Sequence, residues 1–213
     1  MTRYSISQPV TQVEAPRLVS GKGKFTDDIH LPQQAVGVFL RSPYAHADIV
    51  SIDTKAAAAL PGILAILTGE DYAADGLGVV RGISPLKKRD GSPMYRPPRP
   101  ALTRDRVRHV GQSVALVIAE TLNQAKDAAE AIEVEYNPLP AHFSTADANQ
   151  SGAPQLWDDC PDNEPVFAQH GDSAAVDAAL ASADHVIRDT FVVNRVAACT
   201  MEPRSTTKVS RMT

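Results

Sequence analysis

The residues that most often announce chemistry are scarce in this sequence. Its 213 positions hold two cysteines and one tryptophan, and aromatics make up 5%. Cys160 and Cys199 stand 39 positions apart, with no CxxC and no histidine at metal-ligand spacing. That argues against a disulfide scaffold or a zinc module and makes a reducing cytoplasm the expected compartment. The six histidines (His30, His46, His109, His142, His170 and His185) are scattered, with neither HExxH nor an i, i+4 pair, so no metal site is expected from them. GxSxG is absent, as are GxGxxG and GxxxxGK[ST], and Gly21-Lys22-Gly23 reads as a tight turn before a strand. The longest mostly apolar stretch, Ala56 to Leu67, is broken by Pro61-Gly62 and is too short for the roughly 20 residues of a membrane span. The first 20 residues lack an apolar signal region. A net charge of −4 argues against a nucleic-acid coat.

What remains is ordinary globular material, 43% hydrophobic and 22% charged. Residues 1–16 are polar and aperiodic and read as a leading arm. Ala35–Arg41 is rich in strand formers, and Ala47–Ile52 alternates so that Asp48, Val50 and Ile52 share a face. Asp53 or Thr54 caps a short alanine-rich helix that Pro61-Gly62 stops. Ile63–Leu67 is a continuous apolar run, expected as a strand buried on both faces. Thr68 caps a brief helix with Glu70 and Asp71 in its first turn. Ser113–Ala119 reads as a buried strand. Thr121 opens a helix with Gln124 at the capping-box position and Leu122, Ala125, Ala128, Ala129 and Ile132 on one face. Glu133–Tyr136 returns to strand. This mixture predicts an α+β domain ending near residue 140. Residues 144–173 read as a surface connector. Val176, Ala179, Leu180 and Ala183 mark a helix capped by Asp172 or Ser173, and His185–Val193 reads as a further strand.

Charge is unevenly placed. From Arg81 to Arg108 nine Lys/Arg face two Asp, with five prolines, so this segment carries +7 and the remainder −11. Such proline density predicts a long extended loop, suited to gripping phosphates or, better, to covering an acidic partner. Its one aromatic, Tyr95, argues against stacking single-stranded nucleic acid. Further on, Glu202 in Thr200-Met201-Glu202-Pro203-Arg204 places a carboxylate beside a guanidinium. That pair suits either orienting a substrate or an ordinary surface ion pair. These residues alone do not name a reaction.

The order of short motifs does resemble a known family. Arg17-Leu18, Gly21-Lys22-Gly23, Phe25-Thr26-Asp27-Asp28-Ile29 and Leu31-Pro32 are similar to the entry segment of molybdenum hydroxylase large subunits, the xanthine dehydrogenase, aldehyde oxidase and carbon monoxide dehydrogenase group. The resemblance continues through Leu40–Ala47 (LRSPYAHA), Ile52-Asp53, Ala59–Ile63, Ala65–Asp71 and Val110–Ala115, with Ser113 where proline is commoner. Ala131–Tyr136 and Pro138-Leu139-Pro140 complete the first domain, and MEPR follows at 201–204.

The resemblance implies an α+β fold with three parts: an arm over 1–16, an a/b hammerhead domain over 17–142, and over 143–213 a connector with the incomplete α/β start of a molybdopterin-binding domain. It implies oxidative hydroxylation of an aldehyde, purine or related substrate, or oxidation of carbon monoxide, at a molybdenum-molybdopterin centre. FAD and 2Fe-2S clusters on partner subunits would carry the electrons away. Glu202 inherits a substrate-pocket role and Arg204 the role of fixing it. The later glycine-rich cofactor loop and catalytic glutamate of the family have no counterpart here, so no catalytic set is complete and no residue of this chain is assigned to cofactor or metal. The tail Ser205–Thr213 matches no family motif, which is expected of a frameshifted or truncated frame, or of a split subunit completed by a second chain. The alternative reading is a non-catalytic hammerhead remnant or subunit-docking module.

Overall fold

The computed structural model describes residues 12–80, 82–194, 196 and 206. Backbone contacts separate a unit spanning residues 35–186 from a second unit formed by the described parts of 1–34 and 187–213. In the smaller unit, helix α1 (Ala15–Val19) is followed by a turn at Gly21, where φ is +69°, and a single 3-10 turn over Thr26–Asp28. The expected strand directly after Gly23 is therefore not there. Phe25–Asp28 closes on itself instead, the Phe25 N–H donating to the Asp28 carboxylate at 2.9 Å.

The larger unit begins with β1 (Val36–Arg41) and β2 (Ala47–Asp53), then α2 (Lys55–Ala58), β3 (Ile63–Thr68) and α3 (Gly69–Ala74). After the basic loop come β4 (Arg106–Val107), β5 (Ser113–Ala119), α4 (Leu122–Glu130) and β6 (Glu133–Pro138). Helix α5 (Ser173–Ser182) closes the series. The strands form two antiparallel three-stranded sheets, ordered β1-β5-β3 and β4-β2-β6. This is an α+β arrangement, as the pattern predicts.

β5 is central, and its alternate residues Ala115, Val117 and Ala119 are fully buried. They meet Val38, Leu40, Ile63 and Ile66 from the flanking strands and Ala125, Ala128, Ala129 and Ile132 from α4 and its C-terminal end. The alanine stripe explains this packing: small side chains let the helix approach the sheet closely. The Thr121 hydroxyl caps α4, accepting from the Gln124 N–H at 3.3 Å and donating to the Gln124 side-chain Oε1 at 2.8 Å. A second cluster joins Ala47, Val107 and Val114 with Leu40, Ile49 and Tyr136.

Several expectations need correction. β3 is an edge strand of its sheet, with Leu64 56% and Leu67 36% exposed, so only one of its faces is buried. The Asp48/Val50/Ile52 face is broken because the register of β2 against β6 shifts between Ile49 and Ser51. Val50 is the extra residue and is exposed. Leu122 is exposed at the start of α4. α5 forms with Asp172 as its cap, the carboxylate accepting from the Ala175 N–H at 3.0 Å, yet none of its residues is buried. His185–Val193 is not a strand. Among the described residues no strand lies beside it to complete a ladder, and Ile187, Phe191, Val192 and Val193 are 81–94% exposed.

Candidate functional site

Three of the sequence motifs meet in one junction. The Ser42 N–H donates to the Gln112 carbonyl at 2.9 Å, and the Gly111 N–H donates back to the Ser42 carbonyl at 2.8 Å. Arg41 Nη1 donates to the Gly111 carbonyl at 2.8 Å. The Gln112 side chain then ties two loop residues, accepting from the Arg108 N–H at 2.7 Å and donating to Thr103 Oγ1 at 2.8 Å. The third motif joins through His46, whose carbonyl accepts from the Leu139 N–H at 2.9 Å and whose ring Nδ1 lies 2.7 Å from the Pro140 carbonyl. Nδ1 must donate there, because a carbonyl only accepts. Ser42, His46 and Thr103 are all at least 95% buried. Tyr44 and Tyr136 stack at 4.9 Å across the same region, and burial pushes the Tyr136 phenol up. The chemistry of this junction is hydrogen bonding between strand ends, so it fixes geometry.

The basic loop finds its acidic counterpart in the chain's own connector. Arg89 Nε and Nη2 donate to the two oxygens of Glu164, each at 2.9 Å, and its guanidinium lies 3.7 Å from the centre of the Phe167 ring. That pairing raises the Arg89 pKa and lowers that of Glu164. Tyr95 donates its backbone N–H to the Pro165 carbonyl at 2.8 Å and its hydroxyl to Asp159 Oδ1 at 2.7 Å. Burial, then the Asp159 hydrogen bond and charge, pushes its phenol up to about 12. The Arg108 guanidinium lies 3.7 Å from the Trp157 ring centre and donates through Nε to the Leu156 carbonyl at 2.7 Å. Desolvation, then the neighbouring Arg106, lowers its pKa. Arg106 pairs with Asp48 and reaches Asp158 at 3.9 Å, while Arg104 pairs with Glu70 at 2.7 Å. Three of the loop's nine cations, Arg89, Arg104 and Arg106, are thus paired within the chain, and most of the loop remains exposed.

The two predicted site residues, Glu202 and Arg204, lie outside the described residues, as does Cys199. Cys160 is buried, and that burial pushes its thiol up. His30, His109, His142, His170 and His185 are exposed and separate. Among the described residues no group of three His, Cys, Asp or Glu side chains is placed to hold a metal ion. A cavity of about 490 Å³ between loop and connector is lined by Lys88, Arg89, Asp90, Asn149, Asp162 and Glu164, a mixed-charge cleft. Sequence reasoning missed Gln112 and Trp157 as organising residues. The signal available was the excess of acidic residues over 158–164 opposite nine cations.

A protein-family model described as "Aldehyde oxidase and xanthine dehydrogenase, a/b hammerhead domain" matches residues 20–140. The chain belongs to this family. The junction of Ser42, Gln112 and His46 is thus internal to a hammerhead domain, and the loop that the connector covers is a hammerhead loop. The nicotine 6-hydroxylase large subunit of Paenarthrobacter nicotinovorans is 35% identical over 209 residues, which is 96% of this chain and 24% of that one. The nicotinate dehydrogenase large molybdopterin subunit of Eubacterium barkeri is 31% identical over 192 residues, covering 90% and 41%. Among solved structures, reconstituted CO dehydrogenase from Oligotropha carboxidovorans superposes with a TM-score of 0.67 at 33% identity, covering 83% of this chain and 22% of that chain. The hammerhead chain therefore spans between about a quarter and two fifths of the length of these curated relatives. No helix among the described residues is long and apolar enough to cross a membrane.

Proposed function

We propose that this chain is the amino-terminal portion of the large subunit of a molybdopterin-dependent hydroxylase, inactive by itself. One observation carries the reading. The match to the nicotine hydroxylase subunit is not confined to the hammerhead but runs over 96% of the chain, through the connector and beyond α5. A domain borrowed for another purpose would be expected to match only over 20–140. The molybdopterin cradle that this reading implies is assigned to no residue of this sequence. Sister subunits would supply FAD and 2Fe-2S clusters. The free buried thiol of Cys160 suits a reducing cytoplasm.

In the assembled enzyme Glu202 would contact the substrate and Arg204 would hold its carboxylate in place by charge-assisted bonding. The substrate class is an aldehyde, a purine or related heterocycle, or carbon monoxide. Purifying the chain with the products of its neighbouring genes and measuring molybdenum and pterin per chain tests the reading. Near-stoichiometric cofactor in a complex is the expected result; its absence both alone and in complex refutes a working hydroxylase. Glu202→Gln in that complex should reduce turnover and leave molybdenum content unchanged. A second reading, a hammerhead that docks to sister subunits without chemistry, is favoured by its two self-contained apolar clusters.

A further inference from the structure

The connector is fastened to the hammerhead in a way that neither sheet requires. Residues 144–172 contain only one 3-10 turn, Pro161–Asn163, and none of them belongs to either hydrophobic cluster. Within the connector, Asn163 closes the chain on itself. Its Oδ1 accepts from the Leu156 N–H at 2.9 Å, and its Nδ2 donates to the carbonyls of Ala148 at 2.8 Å and Pro154 at 2.9 Å. Asn163 thereby ties Ala148, Pro154 and Leu156 together. The connector is fastened to the loop by charge (Arg89 with Glu164), by stacking (Arg89 on Phe167, Arg108 on Trp157) and by hydrogen bonds, from the Tyr95 hydroxyl to Asp159, from Arg108 Nε to the Leu156 carbonyl, from the Tyr95 N–H to the Pro165 carbonyl and from the Phe167 N–H to the Lys87 carbonyl.

We propose that residues 148–167 are an electrostatic latch, a strap that lifts as a unit from the basic loop and uncovers Cys160 while both sheets stay folded. The charge bonds are solvent-accessible, the Arg89 side chain being 61% exposed, so added salt weakens them. Neither hydrophobic cluster opposes the opening, because no residue of 144–172 belongs to one. This inference stands apart from the cofactor reading and holds for the chain whether or not it joins an enzyme.

The test uses the full chain carrying Cys199→Ser, with the disulfide reagent DTNB as probe of Cys160. The fluorescence of Trp157, the single tryptophan, reports the Arg108 stack, and far-ultraviolet circular dichroism reports the sheets. In dilute buffer Cys160 should label at least tenfold more slowly than in the urea-unfolded chain. Labelling should accelerate severalfold in molar salt, where screening acts within about 3 Å, with Trp157 fluorescence shifting and the dichroism unchanged. Glu164→Gln should give the fast rate already in dilute buffer and remove most of the salt effect. Tyr95→Phe, a milder change, should give an intermediate rate. Labelling indifferent to salt and to Glu164→Gln overturns the latch. So does a thiol that reacts at the unfolded rate in dilute buffer, or a Trp157 signal that changes only together with the dichroism.

Discussion

Gln112 carries more of the junction than its half-buried position suggests, because the two ends of its amide tie together two separate points of the loop, Thr103 and Arg108. Replacing it with leucine keeps the bulk but leaves the Arg108 N–H and the buried Thr103 hydroxyl without their partners. Unsatisfied buried groups typically cost about 1–3 kcal/mol each. Gln112→Leu should therefore lower the urea midpoint with an unchanged m-value, whereas Val110→Ala, at an exposed position beside it, should leave the midpoint in place. Tyr95 offers a second residue-scale expectation, this time in pH. Its phenol is pushed up from 10.0 to about 12, so the folded chain holds that proton more tightly than the unfolded one. The corresponding stability is fully present below pH 10 and is lost as pH rises from there through about 12. Trp157 fluorescence followed across that window should show an alkaline transition. In Tyr95→Phe the transition should be missing.

At the scale of elements, Gly69 at the start of α3 makes the closest demand. A Cβ there would stand 2.5 Å from the Thr103 carbonyl oxygen and 2.6 Å from Arg104 Cα, both backbone atoms that cannot turn aside. Gly69→Ala should destabilise by about 1–3 kcal/mol, the usual cost of overpacking, read as a lower thermal midpoint. Gly76→Ala is a poor control because its φ is +65°, but Gly78→Ala, in open space, should be near neutral. Elements whose logic is local were legible in the sequence. α4 declared itself by the spacing of Ala125, Ala128 and Ala129, and β5 by a run of apolar residues that its central place buries. What depended on a neighbour was not legible. The bulge at Val50 exists only in register with β6, the exposed flank of β3 follows from its edge position, and Glu164 finds Arg89 across 75 positions of chain. No periodicity within one segment encodes such pairings, though the opposite charges of the two segments point toward the last.

At the scale of the whole chain, apolar side chains stand open at several places among the described residues, and two of them bear on association. The face of the β1-β5-β3 sheet turned away from α4 presents Phe39, 44% exposed, and Leu67, 36% exposed, in register with Leu116. Separately, residues 186–196 string together Val186, Ile187, Phe191, Val192, Val193 and Val196, most of them more than 80% exposed and without a strand partner among the described residues. A short segment rich in β-branched and aromatic residues, unpaired and in water, templates association between chains. Of its three charges Arg188 and Asp189 offset each other and Arg195 alone remains, which gives little protection. The isolated chain should therefore scatter light increasingly with concentration and bind a hydrophobic dye. The double substitution Phe191→Asp and Val193→Asp should suppress both signals while leaving the thermal midpoint of the hammerhead unchanged, because neither side chain belongs to either apolar cluster. If the chain joins a larger large-subunit assembly, the same substitution should weaken that association. A chain whose aggregation is insensitive to it would place the sticky surface on the open sheet face instead, and Phe39→Ser would then be the variant that restores solubility.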